Sequence, residues 1–387
     1  MAVERRTFLR TTVVGTSAVA LGGSLWAGTA HAAPAQPGPG PYGPIAPPTP
    51  RASGCPPLPQ PGRRPDRPAG GGHLVHLAPR AGRRRLLRRR QWLDLRLQLR
   101  GEPGRRGRGD PLLLLRRHHR RHRILSGTRT NCAGGSTPWQ TWLSCEEVDR
   151  GYVYETDPWG VQAAVRRDAM GRFKHEAAAA DPVRKVIYLT EDVTDGCFYR
   201  FVPATWGDLS AGRLEVLRMG SGTSGAVTWA AVPDPSGAAT ATRNQVSGAK
   251  RFNGGEGCHY ADDTCWFTTK GDNRVWRYDA VAQRLDLTYD DSLVTGGAAP
   301  LTGVDNVTGS SSGDLYVAED GGSMDICLIT PDDVVTPFLR IEGQSGSEIT
   351  GPAFSPDGTR LYFSSQRGTS GSSSGGITYE VTGPFRR

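Results

Sequence analysis

Similar short strands recur along this chain at nearly constant intervals, and this spacing restricts the folds open to it. Five segments rich in aromatic and β-branched residues end at residues 146, 191, 270, 319 and 366, and turns rich in Gly, Asp and Ser separate them. Most intervals are 45–49 residues, and the 79-residue interval predicts an insertion within 203–250. A repeat of this length with several strands is typical of a β-propeller blade. A pair of β-sandwiches would not give so regular an interval.

The N-terminus has the features of an export signal. Arg5-Arg6-Thr7-Phe8-Leu9-Arg10 precedes an apolar stretch, and Ala30-His31-Ala32 offers a small-residue cleavage site. We interpret residues 1–32 as a twin-arginine signal peptide, with an ordinary amphipathic N-terminus as the alternative. The expected partner is the twin-arginine export machinery, and the expected location is secreted, periplasmic or cell-surface, with no stable membrane anchor. Residues 33–50, rich in Pro, Gly and Ala, are predicted to be a flexible leader.

The net charge of +9 originates in one segment. Residues 51–123 hold 21 Arg against 4 acidic residues, whereas residues 124–387 hold 23 Lys and Arg against 33 Asp and Glu. An Arg-rich arm would bind nucleic acid or anionic lipid through phosphate contacts. A solvated linker is a second interpretation, and translation out of frame from GC-rich DNA is a third.

We favour the third interpretation and therefore expect residues 51–123 to be frame-shifted and disordered, with no nucleic-acid partner. Gln91 to Arg100 can be encoded so that reading one base later gives Asn-Gly-Trp-Ile-Tyr-Val-Ser-Asn-Ser-Glu, a sensible strand. That strand would end 46 residues before Glu146 and would make six repeats. We predict an all-β fold, a six-bladed β-propeller, with a propeller domain over residues 124–387 and one blade garbled in residues 52–123.

Acidic residues end several of the predicted strands, as in Glu146-Glu147, Glu191-Asp192 and Glu319-Asp320. Equivalent strand ends of a propeller converge on one channel, where clustered carboxylates repel unless cations neutralise them. Hard cations such as calcium and ferric iron prefer oxygen ligands. Glu176 and Glu256 lie in similarly tight sequence contexts. The alternative is that each acid is an ordinary surface or turn residue.

Cys132 stands apart from the other cysteines because it lies in a glycine-flanked segment, Asn131-Cys132-Ala133-Gly134-Gly135. A thiolate there can reach a metal, although a buried thiol and half of a disulfide are alternatives. Six of the seven cysteines lie outside the Arg-rich segment and could form bridges, as exported proteins often do. The sequence contains no GxSxG, P-loop or HExxH motif.

Residues 131–147 read Asn-Cys-Ala-Gly-Gly-Ser-Thr-Pro-Trp-Gln-Thr-Trp-Leu-Ser-Cys-Glu-Glu. This segment resembles the NCAGG-TPWGTWL-CEE hallmark of the PhoX-type alkaline phosphatases. Shorter matches follow at 171–176, 188–192, 196–201, 254–257 and 267–272, so the resemblance covers about 124–382. It implies a six-bladed propeller, twin-arginine export, iron and calcium as cofactors, and hydrolysis of small phosphomonoesters.

The resemblance also implies roles for individual residues. Cys132 would be the thiolate ligand of iron. The remaining metal ligands would be Glu147 or its neighbour Glu146, together with Glu176, Glu256, Glu191 and Asp192. Asn131 and Arg251 would contact the phosphate.

Two further expectations concern the whole chain. Residues 52–123 lack the YVSNSE strand of the family, so we expect an incomplete ring and impaired activity. A non-catalytic secreted propeller that binds a partner is therefore the alternative function. We expect a monomer that acts on small phosphorylated substrates.

Overall fold

A computed structural model of the chain describes residues 33–42, 112–114 and 120–386. These residues form 24 β-strands, β1 to β24 in chain order, and no α-helix. Short 3₁₀ helices connect some of the strands, at Asp168–Met170, Thr242–Asn244, Lys270–Asp272, Asp291–Leu293, Gly368–Ser370 and Ser373–Gly375. In this part of the chain no helix is long and apolar enough to cross a membrane.

Most strands belong to five sheets that follow one another along the chain, and we number these sheets as blades one to five. Blade one contains β4 (Asn131–Ser136), β5 (Trp142–Glu146), β6 (Val153–Thr156) and β7 (Val165–Arg166). Blade two contains β8 (His175–Asp181), β9 (Val186–Glu191), β10 (Phe198–Thr205), β11 (Asp208–Arg218) and β13 (Thr228–Ala231). The predicted insertion within 203–250 contributes β11, β13 and the short strand β12 (Gly225–Ala226).

Blade three contains β14 (Gly255–Ala261), β15 (Thr264–Thr269), β16 (Arg274–Asp279) and β17 (Arg284–Asp290), with β12 (Gly225–Ala226) at its outer edge. Blade four contains β18 (Val304–Gly309), β19 (Leu315–Glu319), β20 (Asp325–Ile329) and β21 (Val334–Arg340), with β1 (Gln36–Pro37) outermost. Blade five contains β22 (Ile349–Phe354), β23 (Arg360–Ser365) and β24 (Ile377–Thr382).

The first strand of each blade faces the centre of the molecule. These innermost strands pack side by side in the order β4, β8, β14, β18 and β22. Later strands of each blade pair antiparallel in succession, each farther from the centre. Aromatic side chains fill the space between neighbouring blades; for example, Phe198 of blade two stacks on Phe267 of blade three with ring centroids 4.1 Å apart. The arrangement is that of a β-propeller.

The predicted all-β propeller is therefore confirmed, with five blades in the described residues. The sixth blade stays a prediction, because residues 51–111 and 115–119 lie outside the described part of the chain. Within the Arg-rich segment the structure assigns one antiparallel hairpin, β2 (Leu112–Leu114) with β3 (Arg120–His122). We predicted disorder throughout residues 51–123, and these two paired strands differ from that prediction. The predicted signal peptide, residues 1–32, also lies outside the described residues.

Part of the predicted flexible leader is built into the fold. Strand β1 pairs in parallel with β21, and Ala35 is fully buried, with its amide donating to the Thr288 carbonyl at 2.8 Å. Farther along, the Tyr42 hydroxyl accepts a hydrogen bond from the Arg386 amide at 2.7 Å. Residues 33–42 thus join blade four to the C-terminal residues, and the leader prediction is corrected for this stretch.

Candidate metal centre and active site

Every innermost strand carries a β-bulge at the same level of the propeller. Its pairing with the second strand of the blade skips two residues, and a bulge of this kind redirects side chains. The skipped pairs are 132–133, 176–177, 256–257, 305–306 and 351–352. In four blades the first skipped residue carries a possible metal ligand: Cys132, Glu176, Glu256 and Asp305.

A central cavity lies among these bulges. Each innermost strand contributes to its lining, with Cys132, Ala177, Gly257, Asn306 and Pro352 as representatives. Its empty volume is about 690 Å³, including the part open to solvent. Of the first skipped residues, Cys132 and Asp305 line this cavity.

The last residue of a blade's second strand and the residue that follows it have different surroundings. The last strand residue is Glu146 in blade one, and its carboxylate accepts the Arg129 amide at 2.8 Å and the Tyr152 amide at 3.1 Å. Glu319 of blade four repeats this arrangement, accepting the Thr302 and Asp325 amides at 3.1 Å each. These carboxylates hold the loops around their own strand ends.

Glu191 of blade two has the same position and the same kind of partners. It accepts the Cys197 amide at 3.1 Å and the Tyr199 hydroxyl at 2.9 Å, and Arg243 lies 3.1 Å from its second oxygen. Burial raises the pKa of Glu191, while these donors act to lower it. Among the described residues, neither Glu146 nor Glu191 joins a group of possible metal ligands. The structure thus does not place these two predicted ligands with the others.

The residue after each strand end lies beside the start of the innermost strand. The Glu147 amide donates to the Thr130 carbonyl at 2.8 Å, and Asp320 donates to Gly303 in the same way at 2.8 Å. The corresponding residues of the other blades are Asp192, Lys270 and Gln366. This equivalence explains why Glu147 and Asp320, unlike the preceding glutamates, belong to groups of possible metal ligands.

Among the described residues, the structure contains three overlapping groups of possible metal ligands. Within each group, the ligand atoms lie within 4.8 Å of one another. Their seven members form what we call the ligand row: Cys132, Glu147, Glu176, Glu256, Asp305, Asp320 and Glu348. The groups overlap because Glu176 and Asp305 each belong to two of them. Glu176 and Glu256 are fully buried.

The electrostatics of the row are those of carboxylates crowded out of water. Burial raises the pKa of Glu256 well above its ordinary value, and the charges of Glu176 and Asp305 raise it further, while Lys270 lowers it. A buried carboxylate is costly unless a cation or hydrogen bonds compensate it. Such a set of carboxylate oxygen atoms is suited to bind multivalent cations.

Two lysines supply positive charge beside the row. The Lys174 ammonium lies 2.7 Å from Asp192 and 3.3 Å from Glu147. Lys270 pairs with Glu256 and lies 3.3 Å from Asp192. Burial raises the pKa of Asp192, but the two lysines outweigh it, and the net shift is downward. Asp192 is therefore placed close to the row but is bound by lysines.

The two predicted phosphate contacts have other partners. The Asn131 amide donates to the Ser144 hydroxyl at 2.8 Å. Arg251 donates to the Asp195 carbonyl and to the Asn244 side chain, each at 3.0 Å. Neither Asn131 nor Arg251 is among the residues that line the cavity. Their roles in phosphate binding stay predictions that these contacts do not favour.

The structure brings together Cys132, Glu147, Glu176 and Glu256, as the sequence predicted, and it adds residues that the prediction did not include. Asp305 lies in a segment without a recognisable motif, yet it precedes Glu319 by 14 residues, the separation of Cys132 from Glu146. Aligning the blades on their strand ends would have found it. Glu348 precedes β22, and no sequence signal marks it.

Comparisons with known proteins bear on this site. A family model described as alkaline phosphatase PhoX matches residues 98–151 and 148–368. Its first match begins inside the Arg-rich segment. No curated protein matches the chain significantly.

Among solved structures, PhoX of Pseudomonas fluorescens in complex with vanadate, a transition-state analogue, is similar, with a TM-score of 0.51 and 19% sequence identity. The match covers 62% of this chain and spans 65% of that protein's length. A gluconolactonase from Xanthomonas campestris matches with a TM-score of 0.38 and 13% identity, covering 61% of this chain and 68% of the other.

Proposed function

Because the chain belongs to the alkaline phosphatase PhoX family, we propose that it is a metal-dependent phosphatase that hydrolyses small phosphomonoesters at the centre of its propeller. The observation that carries this proposal is the ligand row, to which all five blades contribute and of which Cys132, Asp305 and Glu348 line the central cavity. Loops and strand ends grouped on a rigid scaffold are typical of enzyme sites. The family match and the row are independent observations.

The donor set fits iron and calcium. Cys132, with Glu147 and Glu176, offers a thiolate beside carboxylates, and we assign this end of the row to iron. Glu176, Glu256 and Asp305 form an oxygen-only group, as do Asp305, Asp320 and Glu348, and oxygen-only groups suit calcium. When bound, such ions withdraw charge from phosphoryl oxygens and so favour attack at phosphorus.

The protein's own residues would prepare the site for an anion. Lys174 and Lys270 hold Asp192 between them and reduce the negative charge that a phosphate ester meets on approach. The bulges fix four members of the row, Cys132, Glu176, Glu256 and Asp305, on strands, which limits the movement of their ligand atoms.

We also propose that the protein is exported by the twin-arginine route and acts as a monomer outside the cytoplasm. The support is the sequence of residues 1–32, with its paired arginines, apolar stretch and small-residue cleavage site. Folding before export would allow the buried carboxylates to acquire their ions in the cytoplasm.

The test is metal analysis of the purified full chain together with hydrolysis of p-nitrophenyl phosphate. We expect bound iron and calcium, activity that chelation abolishes, and activity that the two metals restore. Glu176→Gln should lose both metal and activity, whereas Asp208→Asn, at an exposed position on β11, should retain both. Absence of metal would contradict the proposed centre, and metal uptake without hydrolysis would favour the non-catalytic binding protein.

A further inference from the structure

Two cysteines that the proposed function does not use lie against each other in blade three. The sulfur atoms of Cys258 and Cys265 are 3.3 Å apart. Cys258 is on β14 and Cys265 is on β15, the antiparallel strand beside it. No disulfide is formed among the cysteines that the structure describes.

The pairing register sets the two side chains on one face of the sheet. Cys258 pairs with Phe267, and Cys265 pairs with Tyr260, so the cysteines are diagonal neighbours on adjacent strands. Diagonal neighbours on one face are within reach of each other. A disulfide has a sulfur–sulfur distance of about 2.05 Å, so closing the bond needs a small movement of two side chains.

The two sulfurs differ in accessibility. Cys258 is partly exposed and lines the central cavity, whereas Cys265 is fully buried. Cys258 is therefore the more accessible residue of the pair, and the buried Cys265 can react only with its neighbour. This order is the one that a two-step exchange requires, in which an outer sulfur is modified and an inner sulfur displaces the modifier.

We propose that Cys258 and Cys265 form an intramolecular disulfide when the protein meets a disulfide oxidant such as oxidised glutathione. The Cys258 thiolate attacks one glutathione sulfur, forms a mixed disulfide and releases one glutathione thiolate. The Cys265 thiolate then attacks the Cys258 sulfur and releases the second glutathione. Two protons leave the cysteines and are taken up by the two glutathione thiolates, so the cysteine pair is oxidised and glutathione is reduced.

The bond has a structural consequence for the ligand row. It would join β14 to β15 two residues after Glu256, which shares the bulge with Gly257. The inference rests on the geometry of the cysteine pair and does not depend on phosphatase activity.

Thiol labelling of the full-length protein tests the inference. A single tryptic peptide, Phe252–Lys270, contains both cysteines and no other. After incubation with oxidised glutathione, acid quench and labelling with N-ethylmaleimide in denaturant, we expect this peptide without label and lighter by two hydrogens than its reduced form. Reduction before labelling should give the peptide with two labels.

Variants separate the proposed bond from its alternatives. Cys258→Ser should leave Cys265 labelled, and Cys265→Ser should leave glutathione attached to Cys258. Cys197→Ser is the matched control, because Cys197 is buried elsewhere. In this variant the Cys258–Cys265 bond should form as in the wild type. Two labels after oxidation of the wild type, or a stable glutathione adduct on wild-type Cys258, would overturn the inference, whatever the activity.

Discussion

Glu146 and Glu147 are adjacent in the chain and have opposite tasks. Glu146 accepts two backbone amides, whereas Glu147 shares a group of possible metal ligands with Cys132 and Glu176. The sequence left the choice between them open because the whole of β5 is buried, so no alternation of polar and apolar residues shows which way each side chain faces. The same division separates Glu319 from Asp320.

This division predicts different losses in two conservative variants. Glu146→Gln replaces one accepting oxygen with an amide group that cannot accept, and we expect it to lower the free energy of unfolding by about 1–3 kcal/mol. Glu147→Gln should change metal-free stability less, since it relieves like-charge repulsion while giving up the contact with Lys174. Urea unfolding in chelator measures both variants, and metal analysis should show the larger loss for Glu147→Gln.

If Glu147→Gln lowered the free energy of unfolding as much as Glu146→Gln, or more, the roles assigned to these two glutamates would be contradicted. If Glu146→Gln removed metal without altering unfolding, Glu146 would be the ligand, as one form of the sequence prediction held.

The glycines of the bulges act at the scale of whole strands. A Cβ atom on Gly257 would lie 2.6 Å from the Val307 amide nitrogen and 2.7 Å from the Asn306 Cα of the neighbouring innermost strand. A Cβ on Gly135 would collide with the Ala178 carbonyl of blade two. These positions let adjacent innermost strands approach closely enough to bring their ligands together, which gives a physical reason for glycine within the motif at residues 131–135.

We therefore expect Gly257→Ala to push β14 away from β18. The strain should lower the free energy of unfolding by about 1–3 kcal/mol, and calcium affinity should fall because Glu256 and Asp305 would separate. Gly297→Ala is the control, since a Cβ there meets nothing within 4 Å, and its effect should stay within about 0.5 kcal/mol. Chemical unfolding and calcium titration distinguish the two variants, and equal behaviour would contradict the role assigned to Gly257.

The segment 33–42 offers a second test at this scale. The Tyr42 ring packs against Phe338 with centroids 5.5 Å apart, and its hydroxyl contacts Tyr316 at 3.2 Å as well as the Arg386 amide. Tyr42→Phe should cost about 1 kcal/mol of unfolding free energy through the lost hydrogen bonds. Tyr42→Ala should cost about 2–3 kcal/mol because the ring contact is lost too. If neither variant shifted the urea midpoint, the segment would not contribute to the fold.

The spacing of strands was enough to predict the blades, because the three inner strands of a blade recur along the chain with their turns. It could not predict the part played by residues 33–42, whose composition is that of a linker. Their order depends on contacts with residues some 300 positions away, such as Tyr42 with Arg386, and local sequence holds no sign of such contacts.

At the scale of the molecule, we expect the buried acids of the ligand row to make the stability of the fold depend on bound ions. Ions that bind only the folded state stabilise it by about 2.7 kcal/mol at a concentration one hundred times the dissociation constant. We expect chelation to lower the melting temperature and calcium to restore it in a concentration-dependent way. Thermal unfolding with and without chelator measures this, with Glu176→Gln as a variant whose melting should respond less. A melting temperature indifferent to calcium would contradict the prediction.

The Arg-rich segment can be tested without protein. If residues 51–123 are frame-shifted, the DNA read one base later from the codon of Gln91 should stay open and encode Asn-Gly-Trp-Ile-Tyr-Val-Ser-Asn-Ser. Resequencing measures this directly. Stop codons in the shifted frame before Ile124 would exclude the frame shift, and the segment would then need another explanation.

Glu176 and Asp305 each belong to two of the three groups in the ligand row. A carboxylate shared in this way ties the occupancy of one position to that of the next, so ions should arrive and depart together rather than singly. Removing one shared carboxylate should then lower the bound stoichiometry by more than one ion. The bound ions would then behave as a single multinuclear unit, whose ligands come from every described blade.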